Sequence, residues 1–67
     1  MRIILEIAGE KKRGITVPKR ATAQDVLEIL KMKPDLWLAA MNGAIVPLDT
    51  KLATDCDLKL ICVASGG

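Results

Sequence analysis

Histidine is absent from this 67-residue chain, and cysteine occurs only twice, at Cys56 and Cys62. Without histidine, no side chain has an ordinary pKa suited to general acid–base work near neutrality. Two separated cysteines do not make zinc-ligand spacing, nor the disulfide framework of a small secreted domain. Cys56 stands between Asp55 and Asp57 in an expected turn, and Cys62 falls in the last apolar segment; both read as packed, unreactive thiols. Tyrosine and phenylalanine are missing, and Trp37 is the sole aromatic residue. There is therefore no stacking platform for single-stranded nucleic acid, and Trp37 is assigned to packing. The net charge is only +2, with small basic groups at Lys11-Lys12-Arg13, at Lys19-Arg20, and at Lys31 and Lys33. That is too little for a strong phosphate footprint, so no direct nucleic-acid partner is expected. No apolar run approaches the ~20 residues of a membrane helix. Met1-Arg2-Ile3-Ile4-Leu5-Glu6 lacks the apolar core of a signal peptide. The expectation is a cytoplasmic chain with no membrane association. No carboxylates pair at a plausible site, and Gly9 to Gly14 lacks the Lys-Ser/Thr of a phosphate loop. Neither catalytic residues, a metal site nor a bound cofactor is expected.

What remains is a regular alternation of strand and helix patterns. Met1, Ile3, Leu5 and Ile7 alternate with Arg2, Ile4, Glu6 and Ala8, the period of a strand with one apolar face. Gly9 to Gly14 is a polar connection, after which Ile15 and Val17 share a face of a short second strand closed by Pro18. Thr22 followed by Asp25 resembles a capping box and opens a helix over Ala23–Met32, with Val26, Leu27, Ile29 and Leu30 as its apolar stripe. Lys31 and Lys33 complement the dipole at its C-terminal end, and Pro34 stops it. Leu36–Met41 reads as a strand buried on much of both faces. Asn42-Gly43 is a tight turn into a short edge strand, Ala44-Ile45-Val46, limited by Pro47. A short helical turn is expected over Asp49–Ala53, then a turn at Asp55-Cys56-Asp57, then a last strand, Leu58 to Ala64. The order ββαβββ, with one helix to cover one face of one sheet of four to five strands, is an α+β arrangement. The helix is expected on Ile3, Leu5, Ile15, Val17, Leu58 and Leu60. Sixty-seven residues make one domain, with residues 1–64 folded and residues 65–67 a flexible Gly-Gly tail.

That order is the β-grasp fold. Across nearly its whole length the chain resembles the small sulfur-carrier proteins of the ThiS/MoaD type, structural relatives of ubiquitin. The residues that carry the resemblance are Ala21-Thr22 with Asp25-Val26-Leu27, Asn42-Gly43-Ala44-Ile45-Val46-Pro47, Asp55-Cys56-Asp57, and the terminal Ser65-Gly66-Gly67. Its length and the Asn-Gly-x-Ile-Val-Pro stretch place it closer to the ThiS-like branch than to the molybdopterin type. Two positions depart from the family pattern. Cys56 stands where the family's Asp-Gly-Asp turn has glycine, so a turn of another conformation is expected. Leu48 stands where an arginine often follows Val-Pro.

The resemblance implies a protein co-substrate with no active site of its own. A ubiquitin-activating-type adenylyltransferase would join AMP from ATP to the Gly67 carboxylate. A sulfur donor would convert the acyl adenylate to a thiocarboxylate, and a synthase of thiamine or molybdopterin biosynthesis, or a tRNA-thiolation enzyme, would take the sulfur. Ser65 and Gly66 keep the arm narrow. Strand periodicity adds a partner-binding patch on the open side of the sheet: Ile4, Lys59, Ile61 and Val63, with Arg2 and Lys59 at its rim. Such a patch, used by partners, goes with a monomer when free. Two other functions fit the same residues: a ubiquitin-like modifier joined through Gly67 to lysines, and a β-grasp binding module with an inert tail.

Overall fold

Strand alternation and one capped helix produce a single five-stranded sheet with the helix across one face (computed structural model; residues 1–63 are described). The elements are β1 (Arg2–Ile7), β2 (Arg13–Thr16), α1 (Ala23–Ile29), a 3-10 turn (Pro34–Leu36), β3 (Trp37–Met41), β4 (Ala44–Val46) and β5 (Asp57–Cys62). The sheet order is β2-β1-β5-β3-β4. The central β1–β5 pair is parallel, with Leu5 opposite Leu58, and the other pairs are antiparallel. This is the expected α+β β-grasp arrangement, with five strands.

Register decides which side chains meet the helix. Ile3 and Leu5 on β1 and Leu58 and Leu60 on β5 are completely buried against Val26 and Leu27. Val17, Ala21, Ala23, Ala39, Leu52 and Cys56 complete the cluster, and Ile15, Leu30 and Trp37 are among those packed at its margin. Burying a Leu or Ile side chain contributes about 1.5–3 kcal/mol, so these four central strand residues carry much of the stability. They alternate with Arg2, Ile4, Glu6, Asp57, Lys59 and Ile61, which fall on the open side.

The helix begins as its sequence predicts. Thr22 Oγ1 accepts from the Asp25 amide at 3.2 Å, and Asp25 Oδ2 accepts from the Thr22 amide at 2.9 Å, a reciprocal capping box. The segment after β4 satisfies the other first-turn donors: Ala23 donates to the Thr50 carbonyl at 3.3 Å and Gln24 to Leu48 at 2.9 Å. Asp49–Ala53 forms no helix: Asp49 lies in a turn closed by the Thr50 amide on the Pro47 carbonyl at 3.1 Å, and residues 50–52 run beside residues 21–24, with Leu52 donating to Ala21 and Lys51 bridged to Thr22.

The helix ends earlier than expected, at Ile29 rather than Met32. Lys31 adopts φ 59°. Its amide bonds the Glu28 carbonyl at 3.0 Å, and the Met32 amide bonds Leu27 at 2.8 Å. This is a Schellman stop with a lysine at the left-handed position. Lys31 thus terminates the helix, lying just past a last turn that holds no basic residue. Ile29 is 51% exposed and leaves the expected stripe. At 100° per residue it lies about 120° from the centre line of Ala23, Val26, Leu27 and Leu30.

Three further expectations are corrected. Leu36 belongs to the 3-10 turn, and β3 is buried only at Ala39 and Ala40, because its Leu38 points to the open side. Arg13 and Gly14 belong to β2 and not to the connection before it. Cys62 is exposed, beyond the last core residue of β5, whereas Cys56 is buried. The turn before β5 does differ from a glycine-centred one: positive φ falls on Asp55, at 62°, a residue type that tolerates it. The Asn42-Gly43 turn has φ 52° and 89°, the all-positive geometry that joins adjacent strands.

Candidate docking face and tail

β5 runs along the middle of the sheet toward Val63, the last described residue. Residues Ser65, Gly66 and Gly67, on which the covalent chemistry was placed, lie outside the described residues. At the last described position, the Val63 amide donates to the Leu36 carbonyl at 2.8 Å. This ties the end of β5 to the 3-10 turn.

The patch expected from periodicity is spread along the open face. Ile61 sits opposite Leu38, which is 41% exposed, and Val63 is 43% exposed beside them. Ile4 is half-buried opposite Asp57, four strand residues before Ile61 and roughly 13 Å away. Ile61, Lys59 and Val63 therefore fall near the tail, and Ile4 and Arg2 fall at the other end of the face. Between them lies an ion pair, Lys59 Nζ to Glu6 Oε2 at 3.7 Å. A second pair joins Lys12 Nζ to Asp57 Oδ2 at 3.1 Å. The Lys12–Asp57 pair is exposed and the Lys59–Glu6 pair partly so, and such pairs are worth little in stability.

These pairs flank a shallow recess of about 320 Å³ lined by Glu6, Lys12, Ile45, Asp57, Lys59 and Ile61. Ile45 comes from the edge strand and is 58% exposed. Strand periodicity did not single out Leu38, Ile45, Glu6, Lys12 or Asp57 for this face. Leu38 was hidden by reading β3 as buried on both sides. Alternation around the small residues Ala39 and Ala40 is weak, and only pairing with β5 reveals its phase. Asn42 buttresses this end: its amide donates to the Asp57 carbonyl at 2.8 Å, and its Oδ1 accepts from the Asp57 amide at 3.0 Å.

Among the described residues, no three metal-ligating side chains cluster, and no helix is long and apolar enough to cross a membrane. An apolar face with a recess offers recognition of another surface. One helix held in the grip of a mixed five-stranded sheet defines a ubiquitin-like β-grasp protein.

The ThiS family model matches residues 3–67, and the chain belongs to that family of small sulfur-carrier proteins. Family members serve as carriers, not catalysts, and work with adenylyltransferase and synthase partners. Among solved structures, the chain is similar to one titled Caldiarchaeum subterraneum ubiquitin. Identity is 22% and the TM-score 0.68, over 100% of this chain and 98% of that one. No curated protein matches in sequence.

Proposed function

We propose that the chain carries sulfur as a thiocarboxylate on Gly67. The observation that carries this reading is the family match, which runs through residue 67 and so takes in Gly66-Gly67. An α-carboxylate is ionised at neutral pH and is a poor electrophile. A ubiquitin-activating-type adenylyltransferase would dock on the open face near Ile61, Lys59 and Val63. The Gly67 carboxylate would attack the α-phosphate of ATP, releasing pyrophosphate and leaving an acyl adenylate. A sulfide equivalent from a sulfur donor would then add to the carbonyl, and AMP would leave. The product is a sulfur nucleophile at the chain end, which a synthase or a tRNA-thiolation enzyme accepts. Ser65, Gly66 and Gly67 have small side chains or none, which suits passage into a narrow channel.

The test is intact-mass spectrometry of the chain incubated with a candidate adenylyltransferase, ATP and a sulfur donor. A gain of about 16 Da at Gly67, the replacement of oxygen by sulfur, is expected, and deletion of Gly67 abolishes it. An unchanged mass with every candidate partner sinks the reading. A ladder of covalent conjugates on a denaturing gel of cell extract would instead support the modifier alternative. The likeness to an archaeal ubiquitin is one of fold and does not favour either.

A further inference from the structure

β2 carries a glycine where an extended strand gains nothing from one. Gly14 pairs with Ile4 in the ladder, and its φ is not positive. Glycine at an unstrained strand position marks a close approach. Here the approach is made by Arg2. A Cβ on Gly14 would lie 2.6 Å from both Nε and Nη2 of Arg2 and 3.0 Å from Cζ. The guanidinium therefore rests against bare backbone on the open face of the sheet. Arg2 is exposed, and among the described residues its side chain has no ion pair and no hydrogen bond. The two cations that line the recess farther along this face, Lys12 and Lys59, are matched by Asp57 and Glu6.

The geometry points to Arg2, seated on Gly14, as a recognition residue for a carboxylate side chain of the protein that docks on the open face. This deepens the sulfur-carrier reading and rests on it for the identity of the partner. A guanidinium held by packing keeps its planar fork of donors oriented, which suits bidentate contact with a carboxylate and lowers the ordering cost of binding. The surroundings select a protein over a nucleic acid. A phosphate backbone is bound by several cations in a row, and among the described residues of this face Arg2 alone is unmatched. Farther along the same face lie the two ion pairs and the exposed apolar side chains of Leu38 and Ile45, and apolar groups with charged residues around them are typical of protein interfaces.

The experiment is calorimetric titration of the full chain with the ubiquitin-activating-type adenylyltransferase encoded by the same genome. Arg2→Lys keeps the charge and removes the fork. Gly14→Ala keeps Arg2 and displaces its head. Each is expected to weaken affinity about tenfold, the order of one charge-assisted bidentate contact. Gly14→Ala is also expected to hold or raise Tm, because alanine suits an extended strand better than glycine. This separates recognition from folding. Unchanged affinity in both variants overturns the inference, and unchanged affinity in Gly14→Ala alone overturns the seated geometry. A short RNA oligomer bound by the wild type and lost in Arg2→Ala overturns the carboxylate assignment. Intact mass at Gly67, read in parallel with ATP and sulfur donors present, tests the sulfur reading separately: an enzyme that binds while the mass stays unchanged with every donor refutes that reading and leaves the Arg2 comparison valid.

Discussion

Replacing Lys31 by glycine should stabilise the domain. Lys31 sits at φ 59° just past the helix, where a residue with a Cβ costs roughly 1–2 kcal/mol. Glycine removes that cost but adds freedom to the unfolded chain, worth about 0.5–1 kcal/mol. Losing a cation near the helix end subtracts about 0.3 kcal/mol more. The net gain is about 0.5 kcal/mol, or a Tm higher by about 2–4 °C for a domain of this size. Thermal unfolding followed by circular dichroism measures it, with Lys31→Val as the control. A β-branched residue is strained at positive φ and should lower Tm. If the helix instead ran on to Met32, glycine would occupy a helix interior and cost about 1 kcal/mol. A Tm lowered by several degrees in Lys31→Gly would therefore refute the Schellman stop.

Two other predictions concern side chains on either side of the sheet. Ile61→Asp should leave the chain folded, because Ile61 is on the open side and only half-buried, while weakening binding to the activating enzyme; a variant that unfolds at room temperature contradicts the strand phase. Cys56→Ser should cost about 1–3 kcal/mol, because it places a hydroxyl in the buried cluster, whereas Cys62→Ser should change stability by less than about 0.5 kcal/mol. Urea denaturation distinguishes them, and equal effects would show that the burial difference is misplaced.

Local rules were enough wherever the controlling interaction was local. Thr22 with Asp25 started the helix, Asn42-Gly43 turned the chain, and alternation in β1 and β5 separated the buried Ile3, Leu5, Leu58 and Leu60 from the open side. They failed where a distant segment decided. Asp49–Ala53 had a weak helical signal, but the first-turn amides of α1 take the Leu48 and Thr50 carbonyls and hold this segment against the helix start. Leu38 looked like core until β5 paired with β3 and set its phase outward. Ile4 and Ile61 share a side by alternation, and only the parallel register of β1 with β5 sets them at different ends of it.

The amino-acid sequence by itself determined the fold class: one capped amphipathic helix, alternating strands and the Asn42-Gly43 turn are properties of short-range order. Which residues share the open face was decided by tertiary structure. Which residues become neighbours on a sheet depends on strand order and register, and these are set by many weak contacts between segments far apart in the chain. Gly14 shows the difference most plainly. In the sequence it closes a polar loop; in the folded sheet it is the seat on which Arg2 rests.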